Sequence, residues 1–97
     1  MPRTKLGVQV LKREEIKEKM IIVLSTMKFG MHDPRTYEVE LFPYVNEKKG
    51  YFRGRHRYFE KKSTAYKFFK QACKEPFSTL HIMMLDDKKV SDKYAKK

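Results

Sequence analysis

Two alternating segments joined by a short glycine-ended loop constrain this chain more than any other feature. In Tyr37 to Val45 (YEVELFPYV), Tyr37, Val39 and Leu41 alternate with Glu38, Glu40 and Phe42, the two-residue period of a strand. Gly50 to Phe59 (GYFRGRHRYF) reads as a second strand. Between them, Asn46 to Gly50 (NEKKG) is a hairpin loop whose final glycine can supply a positive φ. Pro43 has no N–H to give a ladder, so it belongs at an edge or a bulge. An antiparallel sheet follows.

A helix packs on that sheet. Ala65, Phe68, Phe69, Ala72 and Cys73 stand at i, i+3, i+4, i+7 and i+8 and form one apolar stripe. The spacing predicts a helix over about 63–75, with Ser63 as N-cap and Pro76 as its stop. Phe77 to Leu85 reads as a closing strand, and a charged tail over 86–97 is expected to fray. Upstream, the β-branched run Ile21-Ile22-Val23 favours a strand from 20 to 29, although Ile16, Met20, Val23, Leu24 and Met27 also fit a helix. Gly30 to Thr36 is a loop. Residues 1–12 are a second end expected to fray, where only Val8 and Val10 hint at a strand. Lys12 to Lys19 (KREEIKEK) favours a helical turn or two.

The expectation is an α+β fold in one small domain of 97 residues, mainly antiparallel, in the order β-β-β-α-β with the helix on one face. If 13–28 is helical and Leu6 to Leu11 a strand, the order becomes βαββαβ, the ferredoxin-like arrangement found in RNA-recognition modules.

Charge narrows the function. The chain carries a net +11, and residues 46–74 alone hold ten basic and two acidic side chains. A block so concentrated is the electrostatic footprint of a polyanion-binding surface. From Tyr51 to Phe59, alternation places Tyr51, Arg53, Arg55, Arg57 and Phe59 on one face and Phe52, Gly54, His56 and Tyr58 on the other. Three unpaired arginines cannot enter a core, so the arginine face is expected outward, with Phe52 and Tyr58 meeting the helix. Guanidinium forks bind phosphate, and Tyr51 and Phe59 would stack on bases. Lys48, Lys49, Lys61 and Lys62 would steer the ligand. Lys67, Lys70 and Lys74 follow i, i+3, i+7 spacing and share one helix face.

These features point to a non-enzymatic binder of RNA or single-stranded nucleic acid, cytoplasmic, alone or with a protein partner in a ribonucleoprotein, and needing no cofactor. A different class is a protein-interaction module or inhibitor, resembling phage accessory proteins in size and style, whose basic face docks on a partner. A third reading is a small metal-independent ribonuclease. In it His56 is base or acid, Arg55 or Arg57 steadies the phosphate, and Tyr58 or Tyr51 places the substrate. His32, His56 and His81 lack metal-ligand spacing, and no phosphate-cradling glycine loop is present. The lone Cys73 lies on the apolar stripe and reads as core, as do most of the six methionines. The longest apolar run, Met20 to Leu24, is far short of a membrane span.

Overall fold

Met20, Ile22 and Leu24 recur every second residue with no exposed surface, so one side of their strand is dry. The chain is described by a computed structural model. It covers the backbone of residues 5–52 and 54–95, and side-chain surroundings through 86. Five strands precede two helices: β1 (Leu6–Ile16), β2 (Met20–Lys28), β3 (Thr36–Asn46), β4 (Gly50–Tyr51), β5 (Arg55–Phe59), α1 (Lys62–Lys74) and α2 (Pro76–Ala95). β1 pairs with β2, β2 with β3, and β3 with both β4 and β5; every pairing is antiparallel. The result is a small α+β domain with both helices on one side of the sheet.

β4 and β5 are two pieces of the expected second strand. Pro43 explains the break, because it has no N–H to offer the neighbouring strand. Its carbonyl still accepts from Phe52 N–H at 2.9 Å, and Gly54 N–H reaches the Leu41 carbonyl at 2.9 Å. Gly50 closes the β3–β4 turn with φ +69°, as its place in the loop predicts.

The core lies between sheet and helices. Met20, Ile22, Leu24, Val39 and Leu41 pack against Ala65, Phe69 and Ala72 of α1 and Met83 of α2. Phe68 and Cys73 complete the predicted stripe at its margins. Met20, Met27 and Met83 are buried, whereas Met31 and Met84 face outward.

Four local expectations are corrected. Lys12 to Lys19 is not helical: Lys12 to Ile16 pairs with Leu24 to Met20, and the strand turns through Glu18 at φ +59°. Pairing to the edge of β2, with Leu11 and Ile16 against the core, overrides a local helix preference. The βαββαβ alternative falls with it. The residues 77–85 are helical, not a strand. Pro76 takes the first position of α2, where its fixed φ suits a helix. Leu80 and Met83 then turn toward the core together with Thr79, in a run rich in Leu and Met rather than β-branched residues. The charged tail continues this helix to Ala95. Finally, the cap of α1 is Lys61, with no side-chain hydrogen bond, rather than Ser63.

Candidate nucleic-acid interface

Register decides which side chains share a face. Arg57 lies opposite Val39, Arg55 opposite Leu41 and Phe59 opposite Tyr37. Val39 and Leu41 are core residues, so the arginine face of β5 turns toward the helices, not outward as expected. Arg57 lays its guanidinium 5.1 Å from the Phe68 ring centroid and donates to Asp86 Oδ2 on α2 at 2.6 Å. Phe59 packs its ring 5.2 Å from that of Phe68. Arg55 donates to the Gly54 carbonyl at 2.8 Å. A guanidinium at the sheet rim can bury its stem while its head meets an acid, and Asp86 supplies that acid. Arg53 lies outside the described residues.

The opposite face carries rings instead. Phe42 sits across from Ile21, and Tyr44 pairs with Tyr51 in β4, their rings 5.3 Å apart and edge to face. His56 and Tyr58 stand beside Glu40 and Glu38. The His56 and Tyr58 rings are 5.1 Å apart, and Tyr58 meets Phe29 at 5.5 Å. Tyr58 is 41% exposed and Phe52 51%, so neither meets the helix as expected. Tyr51 accepts the Glu18 N–H on its hydroxyl at 3.1 Å, which holds its ring on the sheet. Both described helices lie on the other side, so no described helix covers this face, although Ser25, Met27 and Glu38 at one end of it are buried.

One end of the ring face holds a charged centre. Glu38 is 1% exposed. Lys5 Nζ donates to its Oε1 at 2.9 Å, and His56 Nδ1 lies 2.7 Å from its Oε2. Burial pushes the Glu38 carboxyl upward, but hydrogen bonds from Lys5 and His56, with their charges, outweigh that and hold it below the ordinary carboxylate range. The hydrogen bond to Glu38 raises Lys5 despite some desolvation, and the nearby Tyr58 hydroxyl raises it a little further. Lys5 also sits 5.7 Å from the Tyr58 ring centroid. An ionised Glu38 only accepts, so His56 Nδ1 carries the proton of this bond.

The expected lysines are all exposed but divide between surfaces. Lys48 and Lys49 sit in the β3–β4 turn, where Lys49 N–H donates to Asn46 Oδ1 at 2.8 Å. Lys61 and Lys62 follow β5 at the other end of β3, and Lys62 approaches the Tyr66 ring at 5.6 Å. Lys67, Lys70 and Lys74 point away from the core on α1. Among the described residues, the structure therefore does not gather the expected set into one patch. Tyr51 joins the ring face, Arg57 and Phe59 join the helix side, and the lysines frame both ends of the sheet and one helix.

Sequence reasoning missed Lys5, Glu38, Phe42 and Tyr44 as members of a site. The alternation of Glu38 and Phe42 with the core positions was the available signal, but nothing local pairs Glu38 with a lysine 33 residues away. Burial, with the nearby Glu14 charge, pushes the Cys73 thiol upward, in keeping with a packing role. Among the described residues no three His, Cys, Asp or Glu side chains are grouped to hold a metal ion, and no helix is long and apolar enough to cross a membrane. No protein-family model matches the chain, and neither the curated proteins nor the solved structures contain a match.

Proposed function

We infer that the chain binds RNA or another single-stranded nucleic acid across the uncapped face of its sheet. One observation carries this reading: rings from three neighbouring strands, Phe42 and Tyr44, Tyr51, and His56 and Tyr58, share a face that no described helix covers. Leaving such rings partly in water has a cost that stacking on unpaired bases removes. Side chains two apart on a strand lie about 7 Å from each other, a spacing single-stranded bases can follow.

The lysines frame this face. Lys48 and Lys49 stand beyond Tyr44 and Tyr51, and Lys61 and Lys62 stand beyond Tyr58, at opposite ends of β3. Eleven residues of β3 span roughly 35 Å, enough for a short single strand to run between the two pairs. The net +11 supplies long-range attraction. The site differs from the arginine strand expected from sequence: Arg55, Arg57 and Phe59 support the helix side, and the rings opposite them make the platform.

The test is anisotropy of a labelled, unstructured RNA at about 50 and 200 mM salt, beside single-stranded and duplex DNA. Salt-sensitive binding of single strands is expected, reduced at least tenfold in a Tyr51→Ala/Tyr58→Ala variant whose circular dichroism is unchanged. Absence of binding to all three at the lower salt overturns the reading. Binding that survives the double variant unchanged places the ligand on another face.

A further inference from the structure

We propose that His56, oriented by Glu38, is a general base that cleaves bound RNA at its 2′-hydroxyl. This rests on the preceding reading that RNA lies across the ring face. The geometry comes from four side chains, Lys5, Glu38, His56 and Tyr58, that the fold brings together from β3, β5 and the residue just before β1. Glu38 is buried, yet it stands on the side of the sheet away from the helices, opposite Tyr58 and two positions from His56 across the ladder. Its two oxygens are taken by different groups, Oε1 by Lys5 at 2.9 Å and Oε2 by His56 Nδ1 at 2.7 Å.

A carboxylate on Nδ1 sets the tautomer of the imidazole and steadies the positive charge that forms when Nε2 takes a proton. The His56 side chain is 39% exposed, so its outer edge is open to a ligand on that face. Tyr58 stacks edge to face on the imidazole at 5.1 Å and fixes the ring plane. The arginines expected to steady the phosphate are on the wrong side of the sheet. Lys5 is the cation on the right side, held by Glu38 and lying 5.7 Å from the Tyr58 ring centroid. A structural ion pair alone would need only Lys5 and Glu38. The second carboxylate oxygen, committed to an exposed imidazole, is the feature that a tether leaves unexplained.

The step balances without a further reagent. His56 Nε2 takes the proton of the ribose 2′-hydroxyl. The 2′-oxygen attacks the adjacent phosphorus, the bond from phosphorus to the 5′-oxygen breaks, and its electron pair stays on that oxygen. The leaving oxygen takes a proton from water, and the resulting hydroxide takes the proton from the imidazolium. The products are a 2′,3′-cyclic phosphate and a 5′-hydroxyl, and no redox change occurs. Glu38 acts through His56 and is a positioning residue.

The test uses the full chain on an end-labelled single-stranded RNA and on the same sequence made entirely of deoxyribose. Binding is read on the deoxy strand, which lacks the nucleophile. Expected are cleavage of the RNA to 2′,3′-cyclic phosphate ends, no cleavage of the deoxy strand, and loss of about 100-fold or more in rate for His56→Ala. Imidazole added to His56→Ala should restore part of the rate, which no structural role of His56 would produce. Glu38→Gln should lower kcat with little change in KM. Binding without cleavage overturns the base assignment and leaves the binding reading standing. Cleavage by His56→Ala at the wild-type rate also overturns it, as does cleavage that leaves other end groups. Neither binding nor cleavage overturns both.

Discussion

Arg57 Nη2 donates to Asp86 Oδ2 at 2.6 Å, and this bond ties β5 to the middle of α2. The same guanidinium covers the Phe68 ring of α1, so one side chain touches both helices. Its partial exposure keeps the ion pair near the small values of surface pairs, while the ring contact and the stem add packing. Arg57→Ala should therefore cost about 1–2 kcal/mol in urea unfolding, and Asp86→Ala less than about 1 kcal/mol, because only the ion pair is lost. Equal losses for both would show that the ring contact contributes nothing.

Glu38 gives the fold an acid-sensitive anchor. Its folded carboxyl lies below the ordinary value of 4.5, so the stability it contributes is present above that value and is lost as pH falls through the folded one. Lys5 is raised above 10.5, so its share is full below 10.5 and disappears as pH rises through its folded value. Glu38→Gln should lower stability by about 2 kcal/mol near neutral pH, through the loss of charge-assisted hydrogen bonds. It should also flatten the fall in melting temperature below pH 4.5. A variant whose acid branch still parallels the wild type would remove Glu38 from that role.

How far the sequence could be read follows from the range of each interaction. The hairpin from β3 onward, the α1 stripe and the turn at Gly50 are local patterns, and they were legible. β1 and α2 were not. The charged run Lys12 to Lys19 has a helical preference that only pairing with β2 overrides, and Phe77 to Leu85 shows its helical side only once Thr79, Leu80 and Met83 meet the core. Alternation correctly separated Arg55, Arg57 and Phe59 from His56 and Tyr58. It could not say which set the helices would cover, since that depended on Asp86 and Phe68, supplied by α2 and α1. The Lys5–Glu38–His56 centre was hidden for the same reason: its members are far apart in the chain.

Gly54 is held by crowding. A Cβ there would lie 2.7 Å from Pro43 Cδ and 3.1 Å from the Leu41 carbonyl oxygen, and neither is a flexible side-chain end. Gly54→Ala should cost about 1–3 kcal/mol by forcing β5 away from β3. Gly50→Ala meets open space but must hold φ +69°, so it should cost only about 1 kcal/mol. Chemical denaturation of the two variants compares them directly. A milder loss for Gly54→Ala than for Gly50→Ala would mean that the gap between β4 and β5 yields more easily than its contacts suggest.

Salt dependence can separate the ring face from the lysine face of α1. Each phosphate neutralised on a single strand adds about 0.7 to the magnitude of the slope of log K against log salt. Changing Lys48 and Lys49 to Gln should reduce that slope by about 1.4 and weaken all single strands alike, since both side chains would contact backbone rather than bases. Changing Lys67, Lys70 and Lys74 to Gln removes three positive charges from a surface on the far side of the sheet. It should lower affinity only through weaker long-range attraction, leaving the slope nearly intact. The opposite pattern, a slope reduced by about 2 in the α1 variant and unchanged in the turn variant, would move the ligand onto the helix layer. It would leave the rings of Phe42, Tyr44, Tyr51 and Tyr58 without a nucleic-acid role.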